Sequence, residues 1–314
     1  MIVHLIWSGD RKGGAQKVAL SISKSNSAVI TTSVLHGSLS KEFKKRGLKF
    51  SDNWFASLKS SDSLICSDYR TIFIALVARF ILRSKYRVLG LIHSNRKKKI
   101  DYLLHFASKL TRSNDKFVVS TLEQIKYLNV FFNKHSLLLA RFFLDVDQQL
   151  ITGNSLNVMY FGRLSLKKKV EDYVRCIPDH SDKDRVYYIF GDGDRSLVGE
   201  SASQLLQVYF GWFNLRDVVV QYGIRYVVIP NCDEGISLVT LEAIRMGLIP
   251  ITRATSAFST LKLPLYLLWR EGVNLEEKIQ ELDCMDSKKL IIELNYVVDN
   301  YIKNVGFVTN YFDG

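Results

Sequence analysis

The sequence predicts an α/β chain of two doubly wound parallel-sheet domains, and three observations carry that prediction. Residues 225–251 read as one strand–turn–helix–strand unit. Arg225–Ile229 is a short apolar, β-branched run, Pro230–Gly235 supplies turn chemistry, and Ser237 is an N-cap. Leu238, Leu241, Ala243, Ile244 and Met246 then mark a short buried helix, Gly247 stops it, and Ile249 opens the next strand. The chain begins with strand, Gly-rich loop and helix, Ile2–Trp7 followed by Ser8–Leu20. The same order restarts at Asn157–Phe161, after a polar stretch at 151–156. With 314 residues and 47% hydrophobic content there is material for two such cores, placed at 1–150 and from 151 on.

In the first half, Gly13 and Gly14 permit a close backbone approach to a phosphate, although a glycine pair alone reads equally as a tight turn. Residues 28–36 and 86–92 read as further strands, the second ending at His93, a residue read as structural or as facing a site. His4, His36, His105, His135 and His180 read as structural. Ile72–Leu82 is apolar, broken by Arg79 and followed by Arg83, Lys85 and Arg87. It is too short to span a bilayer and reads as a core helix, with a basic face on anionic lipid as the alternative. Arg96–Lys99 adds four consecutive charges, a solvated run or a docking patch. Asp145 and Asp147 form a D-x-D pair, a spacing that would suit a metal; that reading is set aside.

Charge and cysteine usage bound the partners. Residues 1–150 hold 25 Lys+Arg against 10 Asp+Glu, whereas the remainder holds 18 against 21. All the excess positive charge thus lies in the first half, which points to an anionic surface, membrane or nucleic acid. Cys66, Cys176, Cys232 and Cys284 are scattered without a C-x-x-C, which fits a reducing compartment and argues against a zinc site or disulfide framework. Met1–Trp7 is too short for a signal-peptide core, so a cytoplasmic location is expected.

In the second half, Gly162-Arg163 and Lys168 follow a strand. Two cations five residues apart at that position could clamp a diphosphate, or simply form an exposed basic loop. Val186–Phe190 with Gly191-Asp-Gly193 reads as another strand and turn, and Leu215–Tyr222 as a helix. Around residue 235 the loop at the carboxyl end of the 225–229 strand is where α/β sheets bind ligands. Backbone N–H groups of Gly235, Ile236, Ser237 and Leu238 would favour a phosphate. Glu234 and Glu242 suit sugar and ribose hydroxyls instead, or are a loop carboxylate and an exposed helical one. Leu275–Leu282 and Lys288–Tyr301 read as helices.

Glu234, seven residues and Glu242, within Pro230-Asn-Cys-Asp-Glu-Gly-Ile-Ser-Leu-Val-Thr-Leu-Glu-Ala, resemble the E-x7-E signature of retaining, nucleotide-sugar-dependent glycosyltransferases of family 4, which have the GT-B fold. Further segments are similar in the same order: G-G-A-Q-K-V at residue 13, Val119-Ser120, G-R-L with Lys168, G-D-G at 191, and F-x-G-W as Tyr209-Phe-Gly211-Trp212. Four departures occur: Asn231 stands where the family has a small residue, Lys169 and Ser237 stand where it has glycine, and 252–258 lacks the usual Gly-rich turn.

The resemblance implies two Rossmann-like domains facing across a cleft, the donor mainly on the second and the acceptor on the basic first, with a last segment, 296–314, crossing back. It implies that Arg163 and Lys168 grip the leaving diphosphate, Glu234 orients the sugar, Glu242 holds the ribose, and Gly162, Gly211 and Trp212 border the nucleotide. By resemblance Gly13 and Gly14 border the donor phosphate and acceptor, and His93 faces the cleft. No cofactor and no metal are expected, and the leaving phosphate itself serves as base. The expected donor is a UDP-sugar ahead of a GDP-sugar, and the expected acceptor a glycan or lipid-diphosphate-linked glycan. The implied setting is bacterial lipopolysaccharide, capsule or O-antigen synthesis, peripheral on the inner membrane face. The rivals are an epimerase of the same fold, a degenerate relative without turnover, and a basic nucleic-acid or membrane binder; the absence of any recognised nucleic-acid module speaks against nucleic acid as partner.

Overall fold

The computed structural model describes residues 1–8, 14–35, 39–92, 101–119, 121–139, 156–180, 185–199, 203–231, 237–254, 256–270 and 272–304. The chain divides into two compact units, Met1–Asp145 together with Asn304–Gly314, and Val146–Lys303.

The first unit holds β1 (Ile2–Ser8), β2 (Val29–Leu35), β3 (Phe50–Ser51), β4 (Ser63–Cys66), β5 (Arg87–Ile92), β6 (Lys116–Val119) and β7 (Leu137–Leu139). They form one sheet in the order β3-β2-β1-β4-β5-β6-β7, every pair parallel. Helices α1 (Gly14–Ser25), α2 (Leu39–Lys45), α3 (Trp54–Lys59), α4 (Tyr69–Ile81), α5 (Asp101–Leu110) and α6 (Leu122–Leu128) connect them. Such a sheet is covered on both faces, so its strands are near-continuously apolar: Val3, Leu5 and Ile6 of one strand are all buried. His4, read as structural, is buried too, with Nε2 2.6 Å from the Ser67 hydroxyl.

α4 is the apolar stretch that the sequence marks around Arg79, and it packs as a core helix with Asp68 as its cap, accepting from the Arg70 and Thr71 N–H groups. Arg79 itself takes no part in the alternative, a basic face on anionic lipid. Arg79 is buried and paired two-pronged with Asp115, at 2.6 and 2.7 Å, and its Nη1 and Nη2 also donate to the Tyr86 and Leu110 carbonyls. The chain leaves α4 through Arg83, held at a left-handed φ of 50°.

The second unit holds β8 (Asn157–Phe161), β9 (Tyr187–Gly191), β10 (Leu206–Phe210), β11 (Ile224–Ile229) and β12 (Ile249–Thr252) in the order β10-β9-β8-β11-β12, again all parallel. Its helices are α7 (Val170–Arg175), α8 (Leu215–Tyr222), α9 (Leu238–Arg245), α10 (Ser256–Leu261), α11 (Leu275–Asp283) and α12 (Ser287–Asn304). One face packs on α8 through Tyr188, Phe190, Tyr209 and Tyr222, with the Phe190, Tyr209 and Tyr222 rings 5.0–5.1 Å apart. The other is fastened to α11 by the buried Arg185, whose guanidinium meets Glu276 at 2.5 Å and Asp283 at 2.7 Å. The Tyr226 hydroxyl donates to Asp283 as well. Residue 296, the expected start of the segment crossing back, lies inside α12; residues up to Lys303 belong to this unit, and Asn304 groups with the first.

Candidate active site

The carboxyl edge of the second sheet gathers the loops that follow β8, β9, β10 and β11. The first two run on side by side after the strands end. The Gly162 N–H donates to Phe190 O at 3.0 Å, Leu164 N–H to Asp192 O at 2.9 Å, and Asp194 N–H to Leu164 O at 3.0 Å. This approach requires glycine at two positions. A Cβ on Gly191 would stand 1.9 Å from the Gly162 carbonyl oxygen, and one on Gly193 2.2 Å from that of Leu164. The G-D-G turn is thus a packing device that holds the β8 loop in register.

The β8 loop carries the two cations. The Tyr160 hydroxyl, under the loop, donates to the Arg163 carbonyl at 2.7 Å and fixes the backbone from which the exposed Arg163 side chain leaves. A single 3₁₀ turn, Leu166–Lys168, then brings up the partly buried Lys168, and α7 starts two residues later. Desolvation foremost, then the positive charges of Arg163 and Lys167, push the Lys168 pKa from 10.5 down to about 8. The sign is that of a charged form disfavoured by its surroundings: the native state gains stability relative to the unfolded chain as pH rises from about 8 towards 10.5. An anion bound there would offset the penalty. Affinity for a nucleoside diphosphate is accordingly expected to hold steady between about pH 7, where its phosphates are fully ionised, and about pH 8, and to fall above that by up to about tenfold per pH unit. Calorimetric titration across that range checks this, and the Lys168→Met variant should lose the pH dependence.

Lys169, which replaces the usual glycine, sits between the two helices at φ 49° and ψ 42°. The position demands a left-handed residue, which explains the glycine of the resembling family. Lys169→Gly is expected to raise stability by up to about 1 kcal/mol, read as a higher denaturation midpoint. A lower midpoint would mean that the Lys169 side chain contributes more than its backbone strain costs.

The loop after β10 begins at Gly211, whose N–H donates to Gly191 O at 2.9 Å. Trp212 follows, about half exposed, while the Phe213 ring stands edge-on to the buried Phe190 at 5.3 Å. After β11, Asn231 is buried. Ser237 caps α9 in extended geometry without a side-chain cap bond, and its carbonyl accepts from Thr240 and Leu241. The N–H groups of Leu238 and Val239, one residue further back, have no acceptor within the helix. Glu242, one turn on, is 7% exposed, which corrects the alternative of an exposed helical carboxylate.

Gly162, Arg163, Lys168, Gly211, Trp212, Ser237, Leu238 and Glu242 therefore follow neighbouring strands at one edge of one sheet. Gly14 is the first residue of α1 in the other unit. Glu234, Gly235, Ile236, Gly13, His93, Arg96–Lys99, Asp145 and Asp147 lie outside the described residues. Among the described residues no three His, Cys, Asp or Glu side chains are grouped to hold a metal ion, and no helix is long and apolar enough to cross a membrane. Sequence reasoning missed Tyr160 and Arg253. Arg253 follows β12 at the same edge, with its guanidinium 3.8 Å from the centre of the Trp269 ring. Its position directly after a strand was the available signal.

No protein-family model matches the chain, and no curated protein sequence does. Solved structures do. Anabaena Alr3699/HepE in complex with UDP-glucose is similar at a TM-score of 0.79 and 12% identity, over 100% of this chain and 98% of that one. The lipopolysaccharide outer core galactosyltransferase WaaB in its apo form is similar at 0.65 and 15%, over 97% and 99%. A glycosyltransferase from Rickettsia africae ESF-5 is similar at 0.66 and 13%, over 96% and 94%. At these identities the likeness shows the fold, and the GT-B class expected from the sequence stands.

Proposed function

We propose that the chain is a glycosyltransferase that moves a sugar from a nucleotide-diphosphate sugar to a glycan or lipid-diphosphate-linked acceptor, with retention at the anomeric carbon. The observation that carries the reading is that Arg163, the desolvated Lys168 and the amino end of α9 follow the neighbouring strands β8 and β11 at one sheet edge. Positive charge fixed there stabilises a diphosphate most as its bond to the sugar breaks and negative charge grows on it. Arg163 supplies planar, two-pronged hydrogen bonding and Lys168 a compact charge. Trp212 borders the base, Glu242 accepts from the ribose hydroxyls, and Glu234 orients the sugar. The departing phosphate takes the acceptor's proton, so no side chain is assigned as base.

A UDP-sugar is the favoured donor. The complexes of Alr3699/HepE with UDP and UDP-glucose support it by likeness of fold. The likeness to WaaB, a lipopolysaccharide outer core galactosyltransferase, supports surface-polysaccharide synthesis at the inner face of a membrane as the setting. The test is thermal stability with UDP, GDP, ADP, CMP and buffer, followed by NMR of the anomeric proton of the product. Stabilisation by one diphosphate, since a ligand that binds only the folded state raises its stability, and a product with the donor's configuration are expected. A folded protein that responds to none of the nucleotides would overturn the reading, and an inverted product would overturn its stereochemistry.

A further inference from the structure

The corner that follows α4 carries a surface for which sugar transfer has no use. Phe80 and Ile81, the last residues of that helix, are 72% and 70% exposed. Arg83 and Lys85 come next, and both are exposed. The corner after α5 lies against this one: Arg79 donates to Leu110 O at 2.8 Å, and Arg112 to Ser84 O at 3.3 Å. It brings two more exposed cations, Lys109 and Arg112.

Little negative charge offsets them. Residues 69–119 contain 12 Lys+Arg and 2 Asp+Glu. Of those two acids, Asp115 is buried on Arg79, and Asp101 opens α5 at its opposite end. Asp62, at the adjoining amino end of β4, is exposed but ion-paired with the Met1 amino group. Arg83 also holds a left-handed backbone that glycine would adopt without strain, so a cation stands where the local conformation favours its absence.

We propose that this corner docks the chain on the anionic surface of a lipid bilayer. Phe80 and Ile81 enter the headgroup layer, and Arg83, Lys85, Lys109 and Arg112 meet the lipid phosphates. A nucleic acid would take the cations and leave the two large apolar side chains in water, whereas an anionic lipid interface accepts both. With the proposed function this shares only the premise of a lipid-linked acceptor; it rests on the surface itself.

Co-sedimentation of the full chain with vesicles of phosphatidylglycerol or of phosphatidylcholine tests it. The protein should sediment with the anionic vesicles, remain in solution with the zwitterionic ones, and be released by about 1 M salt, where screening is short-ranged. Arg83→Gly with Lys85→Ser should weaken partitioning roughly 30-fold, about fivefold per charge. Phe80→Ser with Ile81→Ser should weaken it as well. Glycine suits the backbone at 83, so the fold is retained, and the nucleotide response of these variants should match that of the parent. Equal binding to both vesicle types, or variants that bind as the parent does, would overturn the proposal. So would binding of a DNA duplex in place of vesicles. A parent that responds to UDP yet ignores vesicles fails here alone, and one that binds vesicles but no nucleotide leaves only this proposal standing.

Discussion

Arg163→Ala is expected to lower kcat/KM for sugar transfer by about 10²–10³-fold, the range found when one preorganised donor to a developing anion is removed. The ligand-free protein should melt as before. The Arg163 side chain is exposed, and what the fold holds is its carbonyl, through Tyr160, which alanine leaves in place. Lys168→Ala should lose activity on the same scale and should not lose stability, because it removes an ammonium that its surroundings disfavour. Since both groups would act on one diphosphate, the double variant should fall short of the product of the two losses. Steady-state kinetics beside melting curves decide this. An Arg163→Ala variant with parental kcat/KM would remove the diphosphate clamp from the reading.

The second large effect is on stability and lies in the other unit. Asp115→Ala is expected to destabilise the protein by about 3–5 kcal/mol, which lowers the melting temperature on the order of 10 °C. The Asp115 carboxylate accepts from both Nη atoms of Arg79 and from the N–H groups of Val88, at 2.9 Å, and Arg112, at 2.8 Å. Its removal strands a buried guanidinium and two backbone donors. Arg79→Met should be costly too, through the buried carboxylate left behind. Replacing both residues by apolar ones should recover part of the loss, but not all, because the Val88 N–H and Leu110 carbonyl would still lack partners. A loss below about 1 kcal/mol for Asp115→Ala would show that water replaces the pair readily.

What could be read from the sequence was whatever is local. The unit from β11 to β12 needs only neighbouring residues: an apolar run, a turn, a cap and a helix stop. The spacing of Arg163 and Lys168 belongs to one loop in the same way. β3 and β7, of two and three residues, are too short to show any periodicity, and β4 is four residues long beside a serine-rich stretch. Arg79 looked like an interruption in an apolar helix because its partner stands 36 residues further on, where only the fold brings it. Lys169 departed from the expected glycine, and nothing in its neighbours indicated that the backbone turns left-handed there. Glu242 shows the limit from the other side, since one carboxylate fits an exposed helical face as well as a buried one until packing decides.

The parallel sheets also set a timetable for the nascent chain. β1 and β8 each open their unit, yet one flank of each waits for a strand about sixty residues later: Ile2 lies beside Ser63, and Asn157 beside Ile224. At ordinary rates of synthesis that interval lasts on the order of 3–12 s. Through it the open edge of a strand that carries Val3, Leu5 and Ile6 stays exposed to the wrong neighbours. Yield in the cell should therefore respond to translation speed and chaperone supply more than the stability of the finished molecule would suggest, because contacts between distant segments form late.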